Sequence, residues 1–324
     1  MANNNTLNIE ETVFPAWQAA TLAQDMAHNL LATKDQTVKT FIPGVDEIVN
    51  PFFPGTLVSI LGRPQNAKTF VSMFILQQTM ENLMLQNAKK NEACILITTE
   101  VSVEVAALQW MARISGIPIS QILRGDVNQV ELDKIDDSAY KIMGLPLFIV
   151  GHSTQRSKDS KRKRPSLSPK ALDIALEHIL NTYREPETNS PIEPVLIVTD
   201  YLQRLHKDDP HQNEVSAYSA AVDWAKDVAL WAGSTHILNV QAKREVDDRA
   251  IKIPMLGDGQ WTSNIEQSSD VVFAVHMPKV YNIEIMPAIS SWNIPIPTKT
   301  SIGRSTAVVS CTPVVTEARR FAVV

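Results

Sequence analysis

The chain has 324 residues, 44% hydrophobic and 20% charged, with a formal net charge of -5. That length holds one large α/β domain with some decoration. The mildly acidic balance excludes nucleic-acid binding through a basic overall field, so any such contact is confined to a loop or channel.

The polar start, Met1-Ala2-Asn3-Asn4-Asn5, has no basic flank leading into an apolar stretch, so residues 1–14 read as a disordered N-terminus without a secretory signal. No window offers the ~20 apolar residues of a membrane helix, and a cytoplasmic location without membrane contact is expected. Pro15–Leu31 reads as a helix through the spacing of Trp17, Leu22, Met26, Leu30 and Leu31. It either packs on the following domain or docks on a neighbouring subunit. Residues 15–40 are thus a helix and connection, and the main domain is 41–324.

Within it, apolar strands at 56–61, 94–99, 147–150, 195–198, 236–240 and 271–275 alternate with helices at 68–87, 103–115, 169–183 and 215–232. Alternation of this kind implies an α/β fold, a mostly parallel sheet with helices on both faces. From about residue 280 the chain is helix-poor and Pro-rich and reads as a β-rich C-terminal edge. Residues 155–170 are a basic insertion anchored only by Leu167, and residues 184–194 are rich in Pro, Glu and Asn; both are expected to be solvated loops, the first with phosphate contact as the alternative. Cys94 and Cys311, beside or within apolar runs, read as buried free thiols.

The strand ending at Leu61 runs into Gly62-Arg63-Pro64-Gln65-Asn66-Ala67-Lys68-Thr69 and then a helix. This is the phosphate-loop pattern with alanine at the second glycine. Backbone N–H groups of such a loop curl around the β-phosphate, and the helix N-terminus adds a favourable dipole. Lys68 is expected at the β- and γ-phosphates and the Thr69 hydroxyl on Mg²⁺, which makes ATP and Mg²⁺ the expected cofactors. The Ala67 methyl stands where backbone and phosphate approach most closely, and weaker nucleotide binding follows.

Val195-Leu196-Ile197-Val198-Thr199-Asp200 is an apolar strand ending in an acid, and Asp200 is a second Mg²⁺ ligand at the sheet edge where such folds bind ligands. Glu100, closing the second strand, is positioned to orient and deprotonate an attacking water. Gln241, after the fifth strand, is a candidate γ-phosphate sensor.

At this point the residues resemble a known family. The phosphate loop is similar to the arginine-proline loop of DnaB-like helicases. Thr99-Glu100-Val101-Ser102 with Ala112-Arg113-Ile114-Ser115-Gly116-Ile117-Pro118 resembles its glutamate motif, and Asp200-Tyr201-Leu202-Gln203 its Walker B signature. Gln241-Ala242-Lys243-Arg244, Asp248-Arg249-Ala250 and Ile265-Glu266-Gln267 continue the series in order. The resemblance runs from about residue 16 to 321 and implies a RecA-like fold, ATP hydrolysis between subunits of a homo-oligomeric ring, most simply a hexamer, and translocation on single-stranded DNA. It also implies that 15–31 is a linker helix, that the family's separate N-terminal domain is missing, and that other replication or mobile-element proteins are partners. It places Arg249, Gln260 and Trp261 toward DNA, and Lys299 and Arg304 toward the neighbour's nucleotide.

The sequence departs from the family at three places. Ala67 is one. The family's Lys-x-Arg finger reads Lys299-Thr300-Ser301 here, with Arg304 three residues late, and its Arg-Glu-Ser-Gly DNA loop reads Gln260-Trp261-Thr262-Ser263. These departures favour an alternative reading, an ATP-gated oligomeric scaffold that recruits other proteins. A KaiC-like or recombinase-like relative shares the fold, but Asp200-Tyr201-Leu202-Gln203 argues against it.

Overall fold

A computed structural model describes residues 14–32, 38–47, 49, 51–85, 90–154, 166–250, 252–260, 264–281 and 320–323. The chain divides into two units, 1–37 and 38–324. The first contains helix α1, Ala16–Ala32, on which Trp17, Leu22 and Met26 stand exposed.

The second unit is built on strands β1 (Leu57–Gly62), β2 (Glu92–Thr98), β3 (Leu147–Val150), β4 (Glu193–Asp200), β5 (Thr235–Gln241), β6 (Val271–Ala274) and β7 (Arg320–Val323). They form one sheet in the order β3-β2-β4-β5-β1-β6-β7, and every strand pairing in it is parallel. The expected C-terminal edge contributes β7; residues 282–319, with Cys311, lie outside the described residues.

Helices α2 (Lys68–Leu85), α3 (Val103–Ser115), α4 (Ile119–Arg124), α5 (Gln129–Met143), α6 (Pro169–Thr182), α7 (Glu214–Ala232) and α8 (Asn264–Ser268) surround the sheet. Alternate strand residues feed two apolar layers, because successive side chains of a strand point to opposite faces. Leu57, Leu61, Ile95 and Ile97 pack with Leu172 and Leu176 of α6 and Val228 of α7. Val58, Ile60, Cys94 and Leu96 pack with Val71, Ile75 and Met80 of α2 and Trp110 of α3. Burial on both faces is why the strands read as unbroken apolar runs. Cys94 is a buried free thiol, as expected, and burial pushes its pKa well above the usual thiol range.

Three of these helices, α4, α5 and α8, go beyond the sequence reading. α4 and α5 occupy a stretch to which it assigned no element, and α5 carries a reciprocal cap in which Asn128 accepts from the Glu131 N–H while Glu131 accepts from that of Asn128. The loop 184–194 is largely exposed, as expected, yet Glu185 is buried and its backbone N–H donates to Ser190 O at 3.0 Å. Of the basic insertion only 166–170 is described. There Leu167 is buried, and its N–H donates to His206 Nδ1 at 3.1 Å.

Candidate active site

In a parallel sheet all strand C-termini lie on one edge, and register decides which of them meet. β1 ends beside β5 with Gly62 opposite Gln241, and β2 ends beside β4 with Thr98 opposite Asp200. The phosphate loop, Asp200, Gln241 and the corner carrying Glu100 therefore share that edge. Gly151 helps to shape it: a Cβ there would stand 2.7 Å from Thr98 Cγ2, so only glycine lets the end of β3 lie against this corner.

The loop from Gly62 to Thr69 joins β1 to α2 as expected. A Cβ on Gly62 would lie 3.0 Å from Lys68 Cγ and 3.1 Å from Val275 O, so glycine admits the lysine stem. Lys68 Nζ donates to the carbonyls of Gly62 at 2.9 Å and Arg63 at 3.1 Å. Burial brings the Lys68 pKa down to about 8, against the opposing pull of Asp200 and Glu100. Thr69 Oγ1 donates to Asp200 Oδ2 at 2.9 Å, and Asn239 Nδ2 donates to Asp200 Oδ1 at 2.8 Å.

Two residues of the loop, Gln65 and Ala67, have positive φ, 64° and 63°. An L-residue pays about 1–2 kcal/mol for that conformation and glycine does not. The sequence supplies one reason for glycine at position 67, the approach to phosphate; the backbone supplies a second.

Arg63 and Asn66 brace the loop. The Arg63 guanidinium donates to Asp247 Oδ2 at 2.8 Å and to Ala242 O at 2.9 Å. Asn66 is buried; its Oδ1 accepts from Met277 N at 2.8 Å and its Nδ2 reaches Pro64 O and Tyr281 Oη. Pro64 and Gln65 stand exposed on the rim, as does Glu100 on its own corner.

Gln241, the candidate γ-phosphate sensor, and Gln260, expected toward DNA, are joined directly. The Gln260 N–H donates to Gln241 O at 2.9 Å, and the Gln241 N–H donates to Gln203 Oε1 at 3.0 Å. The side chain of Gln260 is turned inward, with Oε1 buried and without a hydrogen-bond partner. Arg249, expected near DNA, has both terminal nitrogens on Asp258, each at 2.6 Å. Asp258 is buried, and an unpaired buried carboxylate is costly, which explains where that guanidinium goes. Trp261, Lys299 and Arg304 lie outside the described residues.

Sequence reasoning missed Asn239 and Gln203. Asn239 left a signal, an amide inside the apolar run of β5 that is fully buried and also bonded to Ser72 Oγ at 2.9 Å. Gln203 was visible only as a letter of the Asp200-Tyr201-Leu202-Gln203 signature.

As an ensemble, the edge offers a lysine and a helix N-terminus to phosphate oxygens. A hydroxyl and a carboxylate 2.9 Å apart suit a hard cation, which takes oxygen ligands. Among the described residues no group of three or more His, Cys, Asp or Glu side chains could hold a metal. A donor set this small fits Mg²⁺, which is commonly held by one or two protein oxygens together with substrate phosphates. No described helix is long and apolar enough to cross a membrane.

Comparison with known proteins gives the family and the fold. A probable plasmid replicative DNA helicase of Chlamydia psittaci is 27% identical over 239 residues, covering 73% of this chain and 45% of that protein. The replicative DNA helicase DnaB of Rickettsia bellii is 22% identical, over 78% of this chain and 47% of its own. The chain spans about half the length of these curated relatives. Among solved structures, an isolated ATPase domain matches with a TM-score of 0.62 at 17% identity, covering 78% of this chain and 81% of that one. A DnaB-like replicative helicase, solved in a study of its interactions with primase, gives 0.59 at 17%, over 78% and 55%. Both likenesses show the RecA-like α/β fold. The family model for the DnaB-like helicase C-terminal domain matches residues 37–303, and the chain belongs to that family.

Proposed function

We propose that the protein binds Mg-ATP at this edge and hydrolyses it as the motor of a homo-oligomeric ring that translocates on single-stranded DNA. The observation that carries the reading is the convergence of Lys68, Thr69 and Asp200, with Thr69 Oγ1 2.9 Å from Asp200 Oδ2. Lys68 exchanges its two loop carbonyls for phosphate oxygens. Thr69 and Asp200 would hold Mg²⁺, which when bound would supply positive charge against the phosphoryl oxygens. Glu100 orients the attacking water and takes its proton. Gln241 senses the γ-phosphate, and its bond to Gln260 passes the change toward Trp261 and DNA. Arg249 acts in that loop by bracing it through Asp258.

Assembly follows from the same reading. Lys299 and Arg304 reach the nucleotide of a neighbouring subunit, and α1, with Trp17, Leu22 and Met26 exposed, is the linker helix that docks on it. Names borne by relatives, a plasmid replicative helicase and a helicase studied with primase, support replication or mobile-element proteins as further partners.

Ala67, at φ 63°, and the sequence Lys299-Thr300-Ser301 favour a second reading, an ATP-gated scaffold with weak turnover. ATP turnover with and without single-stranded DNA, beside native mass spectrometry with and without Mg-ATP, separates the two. DNA-stimulated turnover by a ring supports the motor. Nucleotide-dependent assembly with turnover indifferent to DNA supports the scaffold. Absence of both overturns the two together.

A further inference from the structure

The first turn of α2 holds an aromatic side chain that takes no part in the phosphate chemistry. Phe70 follows Thr69 directly and is 61% exposed, whereas the next three residues, Val71, Ser72 and Met73, are buried. It begins the outer stripe of the helix, which continues through Phe74, Gln77 and Glu81. Exposing a large ring has a hydrophobic cost, so its position one residue from a proposed Mg²⁺ ligand asks for a reason.

The ring meets a cation on one side. The guanidinium of Arg113, from α3, lies 5.0 Å from the Phe70 centroid and 5.8 Å from that of Trp110. Arg113 is also 3.5 Å from Gln77 Oε1 on α2, which fixes it across the two helices. Even with that partner the residue is 61% exposed, which leaves ring surface free for a second one. Cation–π contact is attractive through the ring quadrupole, so Arg113 holds the ring in place while leaving most of it accessible.

Geometry then constrains the nucleotide. The first N–H groups of a helix point out of its N-terminus and are free to meet phosphate. A triphosphate seated on Lys68 and Thr69 must lead its α-phosphate and nucleoside away past the residues of that turn. Phe70 is the aromatic side chain of that turn, and a nucleobase presents a flat π-face to it.

We propose that Phe70, backed by Arg113, is the platform on which the nucleobase of the bound triphosphate stacks. The inference rests on the nucleotide reading above and adds how the site holds the nucleoside end. Stacking tolerates any base, because every base has a π-face, and the larger purine surface gains more than a pyrimidine.

The test compares Mg-ATP, Mg-CTP and inorganic tripolyphosphate with magnesium, titrated calorimetrically into the wild-type chain, Phe70→Ala and Phe70→Trp. Phe70 is exposed, so both variants should fold. Phe70→Ala should weaken Mg-ATP binding about tenfold, the scale of losing one base–aromatic stack. Tripolyphosphate affinity should stay at the wild-type value, Mg-CTP should lose less than Mg-ATP, and Phe70→Trp should restore binding. Equal losses for Mg-ATP and tripolyphosphate would overturn the platform, since Phe70 would then shape the phosphate loop itself. Unchanged affinity with altered assembly would also overturn it and assign the ring to a subunit contact. Failure of the wild-type chain to bind either tripolyphosphate or Mg-ATP would instead defeat the nucleotide reading.

Discussion

The backbone N–H of Gln260 donates to the carbonyl of Gln241 at 2.9 Å, so the loop leading to Trp261 hangs from the last residue of β5. The Gln241 backbone is held on its other side as well, its N–H donating to Gln203 Oε1 at 3.0 Å. Any displacement of Gln241 by a γ-phosphate must therefore be felt at both Gln203 and Gln260. Coupling between distant sites needs such a physical link, and this one is a single hydrogen bond long.

Gln203→Ala removes the acceptor for the Gln241 N–H, at a cost of about 1 kcal/mol in stability. We expect stimulation of ATP turnover by single-stranded DNA to fall about fivefold or more while unstimulated nucleotide affinity holds. Steady-state turnover with and without DNA measures both. Unchanged stimulation would remove Gln203 from the coupling path.

Ala67→Gly tests the departure in the phosphate loop. Relief of positive φ stabilises by about 1–2 kcal/mol, but freedom gained by the unfolded chain returns about 0.4–1 kcal/mol. The Ala67 methyl also packs against the apolar layer under α2, and that contact is lost. Net stability should thus change little. Mg-ATP binding should tighten by about tenfold, because a methyl no longer stands between backbone and phosphate. Denaturant titration and calorimetry read the two effects separately, and weaker binding by the glycine variant would contradict this role for the methyl.

The lowered pKa of Lys68, about 8, should make the proposed nucleotide binding pH-dependent. Above that pH the free site holds a neutral amine, whereas bound phosphates favour the ammonium, so binding takes up a proton. Affinity should fall as pH rises through 8. The unfolded chain keeps the lysine charged up to its ordinary value of 10.5, so the stability of the nucleotide-free protein should rise between pH 8 and 10.5. Calorimetry in buffers of different ionisation heat detects the proton; its absence at pH 8.5 would refute the assignment.

His236 should contribute to the loss of stability in acid. It is fully buried, with Nε2 2.9 Å from Thr199 Oγ1 and Nδ1 3.0 Å from Ala225 O, and burial lowers its pKa from 6.5 to about 4. The unfolded chain binds this proton first, so stability is lost as pH falls from 6.5 to 4, by up to about 3 kcal/mol. His236→Gln should flatten that part of the stability profile, and an unaltered acid limb would assign the loss to other groups.

What was legible in the sequence is what is local. β1, the phosphate loop and α2 are contiguous, and a strand covered on both faces announces itself as an apolar run. α5 was legible but unread: Leu132, Ile135, Ala139 and Ile142 stand at helical spacing, and Asn128 and Glu131 carry a capping signal. The ties that finish the site join residues far apart in sequence, Arg63 to Asp247, Asn66 to Met277 and Asn239 to Asp200. No spacing rule reaches across such distances. Arg249 shows the converse: its charge was visible, while the buried Asp258 that takes it became visible only in three dimensions.

Titration of Mg-ATP into the wild-type chain and into Lys68→Ala, followed by calorimetry, bears most directly on the central claim. A nucleotide seated on the phosphate loop predicts saturable binding by the wild type and its loss in the variant, with unfolding behaviour preserved. Equal heats in both proteins, or none in either while they remain folded, would contradict it.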